Sequence, residues 1–160
     1  MVLANIEELK QYKNIHMIGI GGISMSGIAE ILKFWGFHVT GSDANASETT
    51  DRLIKSGIHV VIGHDLESLQ KADLVIYSAA IKPTDIELVR AKELNLPIVD
   101  RGTFLGQITK AFRNSICISG THGKTTTTSM ISMCFLEAHK DPSIQVGAYL
   151  KPIRWQLPCW

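Results

Sequence analysis

The chain has 160 residues, 45% of them hydrophobic and 19% charged, enough apolar material for one domain and the beginning of another. A net charge of +1 supplies no attraction toward DNA, RNA or an anionic membrane surface, and no apolar run approaches the roughly 18 residues that span a bilayer. Residues 1–8 lack a basic stretch leading into an apolar core, and Cys117, Cys134 and Cys159 are widely spaced, so a cytoplasmic protein with reduced, packing cysteines is expected.

The apolar run Ile15-His16-Met17-Ile18 reads as a first strand. It runs into the glycine-rich segment Gly19-Ile20-Gly21-Gly22-Ile23-Ser24-Met25-Ser26-Gly27, and then into residues 28–34, whose apolar side chains fall at helical spacing. Read as G-x-G-x-x-G, the third glycine position is Ser24, so the dinucleotide fingerprint is incomplete and weak by itself. Residues 38–43 read as a second strand ending on Asp43, about twenty residues past the loop, where dinucleotide folds hold a ribose hydroxyl. A helix cap or loop anchor is the alternative role for Asp43.

Helices are then expected at 48–56, 65–71, 85–95 and 102–112, and strands at 59–62, 73–78 and 98–100. Short apolar strands alternating with helices predict an α/β fold, a Rossmann-like parallel five-stranded sheet with helices on both faces. Ligands of such sheets bind beyond the C-terminal strand ends. Gly21, Gly22, Asp43, Gly63-His64 and Ser78-Ala79-Ala80 all fall there. The acidic pairs Glu48 with Asp51 and Asp85 with Glu87 lie on polar helix faces and read as solvated charges. No Ser/His/Asp or Cys/His arrangement is visible.

A second glycine loop, Gly120-Thr121-His122-Gly123-Lys124-Thr125-Thr126, lies between a β-branched run at 116–119 and a helix pattern at 127–138. The full P-loop spacing would need glycine at 118, where Ile118 stands, so this is a shorter G-x-x-G-K-T variant. Backbone N–H groups of such a turn, with the helix N-terminus, gather anionic oxygens. Lys124 adds a point charge for the outer phosphates, and the Thr125 hydroxyl is placed to meet a magnesium ion. The bland reading is an ordinary strand-to-helix turn with a solvated lysine. Four consecutive threonines, Thr125 to Thr128, argue against it, because β-branched residues are mediocre helix formers.

Taken together, Gly19-Ile20-Gly21-Gly22, Met25-Ser26-Gly27-Ile28-Ala29, Gly41-Ser42-Asp43, Gly63-His64 and Gly120 through Thr127 resemble the bacterial Mur ligase family over residues 15–150. The resemblance implies residues 1–112 as a Rossmann-like UDP-sugar-binding domain and 113–150 as the start of a central ATP-binding domain. Gly21 and Gly22 would let the backbone approach the sugar-nucleotide diphosphate, alongside Ser24. Asp43 and His64 would line the nucleotide end, with Ser78 and Ala79 at the sugar-phosphate edge. His64 reads equally well as a turn histidine. Gly120, Thr121, His122, Gly123, Lys124, Thr125 and Thr126 would hold ATP, with Lys124 stabilising the transferring phosphoryl group and Thr125 helping to hold Mg2+.

The substrates so implied are UDP-N-acetylmuramate and L-alanine, in peptidoglycan biosynthesis. In the reaction the resemblance implies, the muramyl carboxylate would attack the γ-phosphate to give an acyl phosphate, and the alanine amine would displace phosphate. Residues 151–160, with Trp155, Trp160, Pro152 and Pro158, depart from the family pattern and read as an off-pattern tail. The expectation is a fragment, truncated within the central domain and inactive by itself. Two alternatives are an NAD-dependent Rossmann oxidoreductase, against which the Lys124 loop counts, and a non-catalytic UDP-sugar-binding module.

Overall fold

Five short segments rich in β-branched residues pair into one sheet: β1 (Asn14–Ile18), β2 (His38–Asp43), β3 (His59–Ile62), β4 (Leu74–Tyr77) and β5 (Ile98–Asp100). Every pairing is parallel and the order is β3-β2-β1-β4-β5. Parallel neighbours require crossovers, and the helices α1 (Ile23–Phe34), α2 (Glu48–Lys55), α3 (Leu66–Gln70) and α4 (Ile86–Glu93) supply them, while α5 (Arg101–Ala111) follows β5. The computed structural model describes residues 9–147, which divide into two compact units between Ser115 and Ile116.

Strand alternation sorts the core. Ile15 and Met17 of β1 pack with Met25, Ile28 and Leu32 of α1, Leu53 of α2 and Phe104 and Ile108 of α5. Ile18 and Val75 point to the opposite face, where Leu69 of α3 and Leu88 and Ala91 of α4 cover them. That second face also buries polar groups: His16, Thr40 and Ser42 lie beneath α3 and α4. The starts of the neighbouring strands β1 and β4 are clipped together by Asp73, whose carboxylate accepts the N–H groups of Lys13 and Asn14 at 2.9 Å each.

Four of the five helices of this unit begin on a side-chain cap. Ser47, Asp65, Asp85 and Asp100 each accept a first-turn backbone N–H, at the starts of α2, α3, α4 and α5. Helix α1 begins on Gly22 with no side-chain cap and no acid in its first turn.

The second unit contains one long helix, α6 (Lys124–Glu137). The sequence pattern predicts its start at 127; the helix begins three residues earlier because Gly123 turns in the left-handed region at φ 78° and the chain enters the helix at once. The β-branched run at 116–119 and the short apolar segment Ile144-Gln145-Val146, both strand-like in composition, form no strand. Apolar β-branched composition gives a segment the capacity to pair, but a strand exists only with a ladder partner, and none stands beside either segment among the described residues. The off-pattern tail at 151–160 and the far end of the resemblance, 148–150, lie outside the described residues. Among the described residues no helix is long and apolar enough to cross a membrane.

Candidate functional site

The loops expected to carry ligand residues all leave the C-terminal ends of their strands, side by side along one edge. His64 follows β3, Asp43 ends β2, Gly21 and Gly22 follow β1, and Ser78 and Ala79 follow β4. The order reverses at β1, which is where parallel sheets open a crevice. The β1 loop is tied down by its neighbour: Gly19 and Ile20 both donate to the Ser42 carbonyl, at 2.8 and 3.0 Å.

Asp43 takes the anchoring role left open by the sequence. Its Oδ2 accepts the Gly21 N–H at 2.8 Å and its Oδ1 accepts the Asn45 N–H at 3.1 Å. A Cβ at Gly21 would meet Asp43 Oδ2 at 2.8 Å and Thr50 Cγ2 at 2.9 Å, so only glycine fits the approach. Ser78 packs on the same loop, 3.1 Å from where a Gly19 Cβ would stand. Ser24, in the first turn of α1, accepts a hydrogen bond from Arg101 Nη1 at 2.9 Å. Arg101 opens α5 just past β5, and the sequence reading missed it, since nothing local distinguishes it from a solvated helix-start arginine.

Glu87 was also misread, as a solvated charge; it is 1% exposed. Its Oε1 accepts the Asp65 N–H at 2.9 Å and His16 Nε2–H at 3.1 Å. Its Oε2 accepts the Ser42 hydroxyl at 2.6 Å and His64 Nδ1 at 3.3 Å. Burial pushes this carboxyl up, but the hydrogen bonds from His16, Ser42 and Asp65 outweigh it and hold the pKa down at about 2. His16, fully buried, spends its other nitrogen on Thr40 Oγ1 at 2.9 Å. The visible hint was His16 itself, a polar residue in a buried apolar strand with Thr40 opposite. Glu87, Asp85 and His64 hold potential ligand atoms within 4.8 Å of one another, yet every Glu87 lone pair already has a donor, leaving none for a cation.

In the second unit, α6 starts on Gly123 with no side-chain cap and no acid in its first turn. The first helical bond runs from Thr127 N–H to the Gly123 carbonyl, so the N–H groups of residues 124–126 have no acceptor within the helix. The Lys124 ammonium folds back over the bend onto the carbonyls of Gly120 and Thr121. Gly120, Thr121, His122, Thr125 and Thr126 are exposed around it. Positive charge, free amides and exposed hydroxyls fit a polyphosphate, with Thr125 free to reach a metal ion.

This sheet order, with a glycine loop opening an uncapped helix at the reversal, defines a Rossmann-like α/β unit of the kind that holds nucleotides. The sequence profile of the Mur ligase family, catalytic domain, matches residues 14–113, and the chain belongs to that family. It is similar to the UDP-N-acetylmuramate–L-alanine ligase of Acetivibrio thermocellus, 50% identical over 149 residues, covering 93% of this chain and 32% of that one. The Clostridium botulinum (strain Kyoto) enzyme of the same name is 52% identical over 138 residues, covering 86% and 30%.

Among solved structures, the Thermotoga maritima UDP-N-acetylmuramate–alanine ligase superposes with a TM-score of 0.81 at 32% identity, covering 89% of this chain and 33% of that one. A murein peptide ligase from Psychrobacter arcticus reaches 0.73 at 32% identity, covering 79% and 27%. The chain therefore spans about a third of the length of these relatives.

Proposed function

We propose that this chain is the nucleotide-handling part of an ATP-dependent ligase that joins L-alanine to UDP-N-acetylmuramate in peptidoglycan biosynthesis. The observation that carries the reading is the pattern of helix caps. Where a side chain can satisfy a helix start the sequence supplies one, at Ser47, Asp65, Asp85 and Asp100; the two helices that follow glycine loops are left open. An open helix start is a place for an anion. The half of the name concerning substrates comes from the similar ligases.

On this reading residues up to 112 form the sugar-nucleotide domain and 113–150 begin the ATP domain. The diphosphate lies at Gly22 and Ser24, with Gly21 and Asp43 holding the loop in shape and Ser78 and Ala79 bordering the sugar side. His64 borders the nucleoside end. Gly120 to Thr126 cradle the ATP phosphates, where Lys124 gives up its carbonyl partners for phosphate oxygens and opposes charge on the transferring group. Thr125 is the protein ligand offered to Mg2+, which when bound neutralises phosphate charge. Such substrates place the work in the cytoplasm.

Calorimetric titration of the chain with UDP-N-acetylmuramate, with Mg-ATP and with NAD separates the readings. Binding of the first two, with ATP binding lost in Lys124→Ala, supports the ligase assignment. Tight NAD binding without UDP-N-acetylmuramate binding would sink it in favour of an oxidoreductase.

A further inference from the structure

His64 stands at the open edge, 53% exposed, with its Nδ1 3.3 Å from Glu87 Oε2. Glu87 is ionised at neutral pH and can only accept hydrogen bonds. The hydrogen in this contact therefore belongs to His64 Nδ1. Asp85, the other titratable group beside the ring, is likewise an acceptor, its Oδ1 taking the N–H groups of Glu87 and Leu88. A neutral imidazole carries one N–H, so the far nitrogen, Nε2, is left as a bare lone pair. His16 meets the same carboxylate through the opposite nitrogen, its Nε2.

We infer that Glu87 is a positioning residue that locks His64 into the Nδ1–H form, making its Nε2 a hydrogen-bond acceptor for a donor group on the ligand. A diphosphate at neutral pH offers oxygens but no donors, whereas ribose hydroxyls and the uracil imide N–H are donors. His64 thus reads the nucleoside portion of the ligand, not its phosphates. Spacing agrees: β3 is two strands from β1, roughly 10 Å at the usual interstrand distance, a nucleoside's length away from the glycine loop. The ligand half of the inference rests on the sugar-nucleotide reading above; the tautomer half does not.

The test starts with imidazole 15N–1H correlation spectra of the labelled chain at pH 8.5, above the ordinary histidine range, with His64 assigned by its loss in His64→Gln. The expected result is a protonated Nδ1 and a bare Nε2 on His64, with the Nε2–H form gaining in Glu87→Gln. A protonated Nε2 in the unaltered chain overturns the inference without needing any variant to fold. Titration with UDP-N-acetylmuramate and with pyrophosphate then probes the ligand half.

His64→Gln, which keeps an acceptor near the Nε2 position, should bind the sugar nucleotide within about threefold, and His64→Lys, a pure donor, roughly tenfold more weakly, the size of one net hydrogen bond. Pyrophosphate binding should be unchanged in both. Equal or tighter nucleotide binding by the lysine variant would place phosphate at His64 and overturn the assignment. If the unaltered chain binds no sugar nucleotide while the tautomer is as expected, the substrate reading fails and the Glu87–His64 lock stands.

Discussion

The two units of this chain carry similar sequence signals and meet different fates. In the first, every expected strand finds a parallel neighbour, and the apolar side chains of the central strands are covered by helices on both sheet faces. In the second, two equally β-like segments form no ladder, and α6 presents Met130, Met133 and Phe135 exposed. Composition and periodicity are properties of a segment, whereas a strand is a property of a pair. The difference teaches where stability in this molecule is concentrated and where it is thin.

The sharpest way to measure that difference is a matched pair of truncations. Phe104, on α5, is 0% exposed within the first core, and Phe104→Ala should cost about 3–5 kcal/mol. Phe135, on α6, is 39% exposed, and Phe135→Ala should cost less than about 1 kcal/mol. Urea unfolding followed by amide signals of each unit checks both values. Comparable losses at the two positions would break the contrast.

Acid offers a second, smaller probe of the first unit. The Glu87 pKa is held down from 4.5 to about 2, so the folded state favours its ionised form. Its contribution is present above about pH 4.5 and lost as pH falls toward 2, amounting to about 3 kcal/mol. Glu87→Gln should therefore lie well below the unaltered chain in urea stability at pH 6 and approach it as pH falls through that window. A gap of constant size would mean that Glu87 is not the titrating group.

The alternation of strands and helices in residues 15–112 was legible because each element carries its own signal: a period, a cap, a glycine. Gly57 after α2, Asp85 before α4 and Pro97 before β5 mark boundaries locally. The two glycine loops were legible for the same reason. Glu87 was not, because its donors come from His16, Ser42, His64 and Asp65, as far as 71 residues away in sequence. The role of Asp43 was half legible: spacing brought it to the loop, but only the geometry shows its oxygens holding Gly21 and Asn45. Arg101 reaches Ser24 across 77 residues, and no spacing rule announces that.

The loops allow a finer comparison between the units. Gly21→Ala places a methyl 2.8 Å from Asp43 Oδ2 and 2.9 Å from Thr50 Cγ2, so the anchor must shift, at a cost of about 1–3 kcal/mol and a weaker grip on the proposed sugar-nucleotide ligand. Gly123→Ala meets open space and suffers only its backbone, at φ 78°, for about 1 kcal/mol. One glycine is required by its neighbours, the other by its own dihedral. Unfolding of each variant, with ligand titration, distinguishes the two causes.

The smallest expected change in stability is the most informative about function. Gly22 sits at the start of α1 with φ −63° and ψ 142°, the backbone a capping side chain uses, and its nearest neighbours are 3.7 Å or more from a Cβ built there. Gly22→Asp should therefore cap the helix and raise stability by a few tenths of a kcal/mol, helped by a stiffer unfolded chain. The same carboxylate would occupy the amides proposed for the diphosphate and repel it, so UDP-N-acetylmuramate affinity should fall at least tenfold. A variant that is more stable and binds less would mean that the missing cap is kept open for ligand, at the expense of the fold. A variant that is more stable and binds as before would mean that the open start of α1 has no anion to wait for, and the comparison with Gly123 would lose its meaning.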